Sequence, residues 1–308
     1  MIKDLLGLKE TSKEDIIAIL DDADRLKKEV LLSENKKSSL LSGKGIITLF
    51  YENSTRTRVS FEMASKYLGA TAANMSSSGS SVAKGETLID TVKTLEAMDT
   101  DVIIIRHNMS GAPHLVAKHV GSKIVNAGDG MNEHPTQALL DMMTMREKKG
   151  DIKGLKVAII GDVKHSRVAR SNIYGLHKLG AEVVLAGPST LLPKNLEDMG
   201  VKVYTDVDKA VEGADIVMGL RIQLERQKKG LFPSVREYNK YFGVDSRRLS
   251  LAKPDAILMH PGPVNRGVEL NPDIIDGPHS VINEQVTNGV CVRMAVLNMV
   301  ANGKRFEG

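Results

Sequence analysis

Five residues, Ser54-Thr55-Arg56-Thr57-Arg58, carry the first legible chemistry of this chain. They follow a short apolar run, Ile46 to Tyr51, that reads as a buried strand. They precede apolar positions at Val59, Phe61, Met63, Ala64 and Leu68, which recur with helical spacing. Ser54 therefore falls at a helix N-cap, in a strand-to-helix turn. The first turn of a helix carries unpaired N–H groups and a partial positive charge, so acidic residues are favoured there. Here two arginines stand among three hydroxyls, at a cost of roughly a few tenths of a kcal/mol each. A local rule broken in this way points to an anion as the usual occupant. The plainer alternative is a hydroxyl cap with solvated arginines.

Other groups share this character. Asp101 to Ile105 reads as a strand buried on both faces, and it ends in Arg106-His107. A cation thus sits at a strand's carboxyl end, where ligands collect in open α/β sheets. His134-Pro135-Thr136-Gln137 opens a helical run, with proline at the first helical position and His134 at the N-cap. At the positive end of a helix an imidazole is expected as a neutral hydrogen-bond donor, or simply as a cap. No other His, Cys or carboxylate recurs at ligand spacing, so no metal is expected. The strand at Val157 to Ile160 leads into Gly161-Asp162-Val163-Lys164-His165-Ser166-Arg167; the dinucleotide pattern G-x-G-x-x-G is absent there, as is a P-loop anywhere. Arg221 and Gln223 leave another buried strand and point the same way if the chain stays extended, which suits a carboxylate or equally an exposed strand end. His260-Pro261-Gly262-Pro263 closes the last central strand with a rigid turn whose carbonyls can face an amine. Asn74 to Lys84, rich in Ser and Gly, reads as a mobile stretch, either a surface linker or an arm that carries Lys84 to an anion.

The elements that must position these groups alternate. A capped first helix, Thr11 to about Leu31, precedes strands at Ile46–Tyr51, Asp101–Ile105 and Lys123–Asn126, and a helix opens at Glu86. A composition break at Gly150-Asp151 marks a boundary. Beyond it the rhythm repeats, with strands at Val157–Ile160, Val183–Ala186, Val201–Tyr204, Ile216–Leu220 and Ala256–His260. Helices fit Ser166–Leu179, Leu191–Met199 and Val207–Val211, with a terminal helix at Glu284–Asn302. The expected fold class is α/β: two doubly wound domains, each with a central, mainly parallel sheet flanked by helices. The expected division is 1–134, a linking helix at 135–149, a second domain at 150–283, and a terminal segment, 284–308, packing back on the first. A length of 308 residues suits two such domains. The net charge of +4 is too small for a nucleic-acid partner but compatible with small anionic substrates. One cysteine, Cys291, fits a reducing compartment. Met1 to Glu10 lacks the apolar core of a secretion signal, and no apolar run reaches membrane-spanning length. A cytoplasmic location without membrane contact is expected.

Taken in order, Ser54-Thr55-Arg56-Thr57-Arg58, His134-Pro135-Thr136-Gln137, Arg221-x-Gln223 and His260-Pro261-Gly262-Pro263 resemble the aspartate/ornithine carbamoyltransferase family over the whole chain. Ornithine-specific members usually carry a cysteine in the turn that is His260 to Pro263 here, and a later Ser-Met-Gly segment. This sequence has neither, so it is similar to the aspartate-specific branch; another acceptor such as ornithine is the alternative. Pro263 to Glu269 resembles members that often work beside dihydroorotase.

The resemblance implies transfer of a carbamoyl group from carbamoyl phosphate to the α-amino group of L-aspartate, a step of pyrimidine biosynthesis, without cofactor or metal. Residues 1–134 would bind carbamoyl phosphate and 150–283 aspartate. Ser54, Thr55, Arg56 and Thr57 would hold the phosphate, with Arg106 on phosphate and carbonyl. Thr57, Arg106 and His134 would surround the carbonyl oxygen, and Gln137 would meet the carbamoyl nitrogen. Ser80 and Lys84 would come from a neighbouring subunit of a homotrimer with shared sites. Arg167, Arg221, Gln223 and Lys84 would meet the aspartate carboxylates. The carbonyls of Gly262 and Pro263, joined by a cis peptide, would face the amines. Glu52, with Arg167 and Arg226, would form ion pairs on domain closure. The sequence leaves open whether dihydroorotase or a regulatory chain associates.

Overall fold

The computed structural model describes residues 3–76, 85–222 and 234–303. Helix α1 (Lys13–Leu26) is capped by Ser12, whose hydroxyl accepts from the Asp15 N–H at 3.1 Å, and a π-helical turn, Lys27–Leu31, extends it. There follow β1 (Gly45–Phe50), α2 (Thr55–Tyr67), β2 (Thr71–Ser76), α3 (Leu88–Glu96), β3 (Val102–His107), α4 (Ala112–Ala117), β4 (Lys123–Asp129) and α5 (Pro135–Lys149). The second half runs β5 (Lys156–Ile160), α6 (Arg167–Leu179), β6 (Glu182–Ala186), β7 (Lys202–Tyr204), α7 (Val207–Val211), β8 (Ile216–Gly219), α8 (Val235–Phe242), α9 (Ser246–Leu249), β9 (Ile257–Met259), α10 (Pro272–Ile275) and α11 (Ile282–Asn302). Among the described residues, no helix is long and apolar enough to cross a membrane.

The strands form two parallel sheets, ordered β2-β1-β3-β4 and β7-β6-β5-β8-β9. The chain divides into one unit of residues 1–143 and 287–308 and another of 144–286. The division falls within α5, between Met143 and Thr144. In the first unit, Leu49, Ile103, Ile105 and Ile124 of the sheet pack with Val92, Leu95 and Val116 of the helices. In the second, Ala158, Ile160, Val184, Val217 and Leu258 pack with Val207, Val211 and Ile274. Most of α11 belongs to the first unit: Asn298 donates to Asp22 Oδ2 at 3.0 Å, and Lys27 to Asn288 at 2.7 Å.

Two local differences from the sequence reading have physical causes. The helix expected over Leu191–Met199 is two short 3₁₀ turns, Ser189–Leu191 and Leu196–Met199. Pro193 removes a donor between them, and Asn195 takes the left-handed conformation (φ 61°), which ends helical propagation. Strand β2 was not expected, because as an edge strand it lacks the buried apolar signature of its neighbours.

What matters for function is where each sheet reverses its order. From β1 the chain steps outward to β2, then back to β3 on the other side; from β5 it fills β6 and β7, then returns to β8. The crevice beyond the carboxyl ends of β1 and β3, and that beyond β5 and β8, are the two topological switch points.

Candidate active site

In the first unit, Phe50 of β1 lies opposite Arg106 of β3, and the Tyr51 N–H donates to the Arg106 carbonyl at 2.8 Å. The chain then turns into α2. Ser54 occupies the N-cap in extended geometry (φ −162°, ψ 98°), yet its side chain makes no cap hydrogen bond, and no acidic residue occupies the first turn. Ser54 is half-buried, Thr55 and Arg56 are exposed, and Thr57 is buried. Arg106 stands beside this turn: its Nη1 donates to the Ala127 carbonyl at 3.2 Å, and its Nε lies 3.4 Å from Glu52 Oε2. Glu52 and Arg106 thus pair inside the first unit, with both side chains largely removed from water.

His107 follows, with Nδ1 accepting from the Met109 N–H at 3.0 Å and its ring 4.7 Å from that of Tyr51. Burial pushes its pKa below the usual histidine value, opposed by the charge of Asp129, so no further cation is added next to Arg106. The Gly130 N–H donates to the His107 carbonyl at 2.9 Å and the Asp129 N–H to the Glu133 carbonyl at 3.1 Å. The turn between β4 and α5 is therefore pinned to the end of β3, and it delivers His134 to the start of α5. The His134 carbonyl accepts from the Gln137 N–H at 3.0 Å, and His134 is buried. Pro135 to Met145 are buried without interruption, the signature of a helix surrounded by protein rather than of an amphipathic one. Ser54, Thr55, Arg56, Thr57, Arg106, His134 and Gln137 thus all lie along the carboxyl edge of one sheet.

In the second unit, Ile160 of β5 pairs with Gly219 of β8. Gly161 follows in a left-handed conformation (φ 132°), where a Cβ would meet the Leu220 carbonyl at 3.1 Å and the Tyr238 hydroxyl at 3.2 Å. Buried Asp162 accepts from His165 Nδ1 at 2.9 Å and from the His165 N–H at 3.2 Å. Ser166 caps α6 by accepting from the Ala169 N–H at 3.1 Å, and Arg167, its first residue, is buried. The Leu220 N–H donates to the Ile160 carbonyl at 2.7 Å, carrying half-buried Arg221 out beside it.

Beyond β9, His260 Nδ1 accepts from the Gly262 N–H at 2.8 Å, which leaves the ring proton on Nε2, 3.2 Å from Glu269 Oε1. The Asn265 N–H donates to the same oxygen at 2.6 Å, and Asn265 Nδ2 to the Ile222 carbonyl at 3.0 Å. The turn bearing Gly262 and Pro263, whose peptide is cis, is thereby tied to the segment bearing Arg221. Burial raises the Tyr238 pKa, helped by the charges of Glu269 and Asp162, so this hydroxyl keeps its proton. Ser80, Lys84, Gln223 and Arg226 lie outside the described residues.

The sequence reading does not reach Asp162, Asp141 or the clamp made by Glu269. Asp141 had a usable signal, since it stands four residues after Gln137 on one helix face. The Glu269 clamp had none, because its partners come from separate strand ends. Among the described residues, no group of three His, Cys, Asp or Glu side chains could hold a metal ion.

Two parallel sheets, each with arginine beyond the strands that flank its switch point, make this an α/β protein with basic groups suited to small anions at both switch points. Family models for the aspartate/ornithine carbamoyltransferase carbamoyl-P binding domain and Asp/Orn binding domain match residues 3–147 and 153–300. The chain belongs to the aspartate/ornithine carbamoyltransferase family. It is 66% identical to the aspartate carbamoyltransferase catalytic subunit of Ruminiclostridium cellulolyticum, covering 97% of this chain and 95% of the relative. The same-named subunit of Acetivibrio thermocellus is 67% identical over the same shares of the two chains. Among solved structures, aspartate transcarbamoylase from Trypanosoma cruzi in complex with carbamoyl aspartate and phosphate matches with a TM-score of 0.87 at 30% identity, covering 97% of this chain and 96% of that one. Ornithine carbamoyltransferase from Pyrococcus furiosus matches with 0.86 at 34% identity, covering 98% of both chains.

Proposed function

We propose that this chain transfers the carbamoyl group of carbamoyl phosphate to the α-amino group of L-aspartate, giving N-carbamoyl-L-aspartate and phosphate. The first unit binds the donor. Its phosphate lies on the open N-terminus of α2, held by Ser54, Thr55, Arg56 and Thr57, with Ser80 and Lys84 supplied by a neighbouring subunit. The second unit binds the acceptor, whose carboxylates meet Arg167, Arg221, Gln223 and Lys84, while the Gly262 and Pro263 carbonyls accept from amine groups. As the amine nitrogen attacks the carbonyl carbon, charge grows on the carbonyl oxygen. Thr57, Arg106 and His134 stabilise it, and Gln137 holds the carbamoyl nitrogen. The new N–C bond forms from the lone pair of the neutral amine, the C–O bond breaks with its electron pair going to the departing phosphate, and the amine's proton leaves with that phosphate.

The observation that most supports this reading is the α2 terminus: a serine N-cap without a cap bond, a first turn without acid, and Arg106 on the adjacent strand end. The relatives named aspartate carbamoyltransferase catalytic subunit favour aspartate over ornithine as acceptor. The test is phosphate release from carbamoyl phosphate with each amine. Release that requires L-aspartate is expected; no release, or equal use of L-ornithine, overturns the assignment.

The same reading carries a homotrimer with shared sites, in which mixing chains inactivated at Lys84 with chains inactivated at His134 restores activity; no recovery would refute the sharing. It also carries a cytoplasmic location, consistent with a single buried cysteine and open to cell fractionation.

A further inference from the structure

Gln137 and its surroundings in the first unit hold more than a contact with the carbamoyl group. Its Nε2 donates to Asp141 Oδ1 at 3.0 Å, one turn further along α5, and Asp141 is fully buried. A side-chain amide has one donating end and one accepting end, whereas a carboxylate only accepts. Pairing Nε2 with Asp141 therefore turns the Gln137 Oε1 away from Asp141 as an acceptor. A carbamoyl group carries an NH₂ that donates to such an acceptor; an acetyl group of nearly the same shape carries a methyl that does not.

The carboxylate has a buried counter-charge. Arg293 of α11 is 4% exposed, and burial pulls its pKa down to about 10 while the charge of Asp141 pushes it back up. Its Nη1 donates to the Gly289 carbonyl at 2.9 Å, and its guanidinium stands 5.1 Å from the ring centroid of Phe61 on α2. Its Nε has no hydrogen-bond partner among the described residues. A buried guanidinium that is incompletely paired is costly, and such groups mark places where something other than stability is being set.

We propose that Asp141 and Arg293 are positioning residues that fix which end of the Gln137 amide faces the donor, so that the site selects a carbamoyl over an acyl phosphate. The proposal rests on the carbamoyl-transfer reading given above. Asp141→Asn keeps the shape but offers a donor as well as an acceptor, which lets the Gln137 amide turn over. The readout is the inhibition constant of acetyl phosphate divided by the dissociation constant of carbamoyl phosphate, with inorganic phosphate as a control that lacks both groups. The ratio should fall about ten-fold in Asp141→Asn, with phosphate binding unchanged, as expected when one specifying hydrogen bond is lost. Arg293→Lys should shift the ratio in the same direction, and it decides the matter if Asp141→Asn does not fold. An unchanged ratio, or an equal loss of affinity for all three ligands, overturns the proposal. If the wild-type chain releases no phosphate with L-aspartate, the carbamoyl-transfer reading has failed instead.

Discussion

The two switch points are built on one plan and finished differently. Each places a serine at the N-cap of the helix after its central strand, Ser54 after β1 and Ser166 after β5. Ser166 accepts from the Ala169 N–H and closes α6 in the ordinary way. Ser54 makes no such bond. The arginines differ too, since Arg167 at the start of α6 is buried and Arg56 in the first turn of α2 is exposed. An uncapped terminus offers its backbone N–H groups and dipole to a compact anion, which suits a phosphate. A capped terminus has used those groups internally and contributes through side chains, which suits a longer dicarboxylate. In the proposed function this contrast becomes a division of labour, with donor and chemistry on the first unit and acceptor choice on the second.

That division can be broken at three places. The largest effect belongs to His134→Ala, which in the proposed function removes a donor to the developing oxyanion; turnover should fall by roughly 10²–10³ while the melting temperature barely moves. Parallel losses of turnover and melting temperature would reduce His134 to a cap. Next comes Arg221→Ala. Losing a charge-assisted hydrogen bond costs about 1.5–3 kcal/mol, so KM for L-aspartate should rise by roughly 10- to 100-fold. Calorimetric binding of carbamoyl phosphate should be unaltered, and weakening it would show that acceptor and donor residues are not separable. The smallest effect sharpens the comparison itself. Ser166→Ala should lose about 1 kcal/mol in urea denaturation, the worth of an N-cap, whereas Ser54→Ala should keep its midpoint and bind phosphate more weakly. Equal destabilisation by both would mean that the two caps are alike.

Much of this was legible in the chain. The buried strands Ile103–Ile105 and Val157–Ile160 announce themselves as unbroken aliphatic runs, and the cations that follow them mark strand ends. Ser54 to Thr57, His134 and Arg167 were readable because helix caps obey local rules, and a broken local rule is visible without a fold. Strand β2 was not, since its pairing with β1 comes from the sheet rather than from its own polar residues. The helix expected over Leu191–Met199 was misread because Pro193 and Asn195 outweigh its apolar spacing.

The sequence alone determined the residue types, their spacing and the alternation of strand and helix, all of which depend on interactions between near neighbours. Only the tertiary structure decided that β1 lies against β3 and β5 against β8, which puts Arg106 beside the Ser54 turn and Arg221 beside the Arg167 turn. It also decided that Glu269 clamps His260 to Asn265 and that Arg293 reaches the helices carrying Asp141 and Phe61. Strand order and side-chain clamps join residues distant in the chain, and no local periodicity records which distant partner wins.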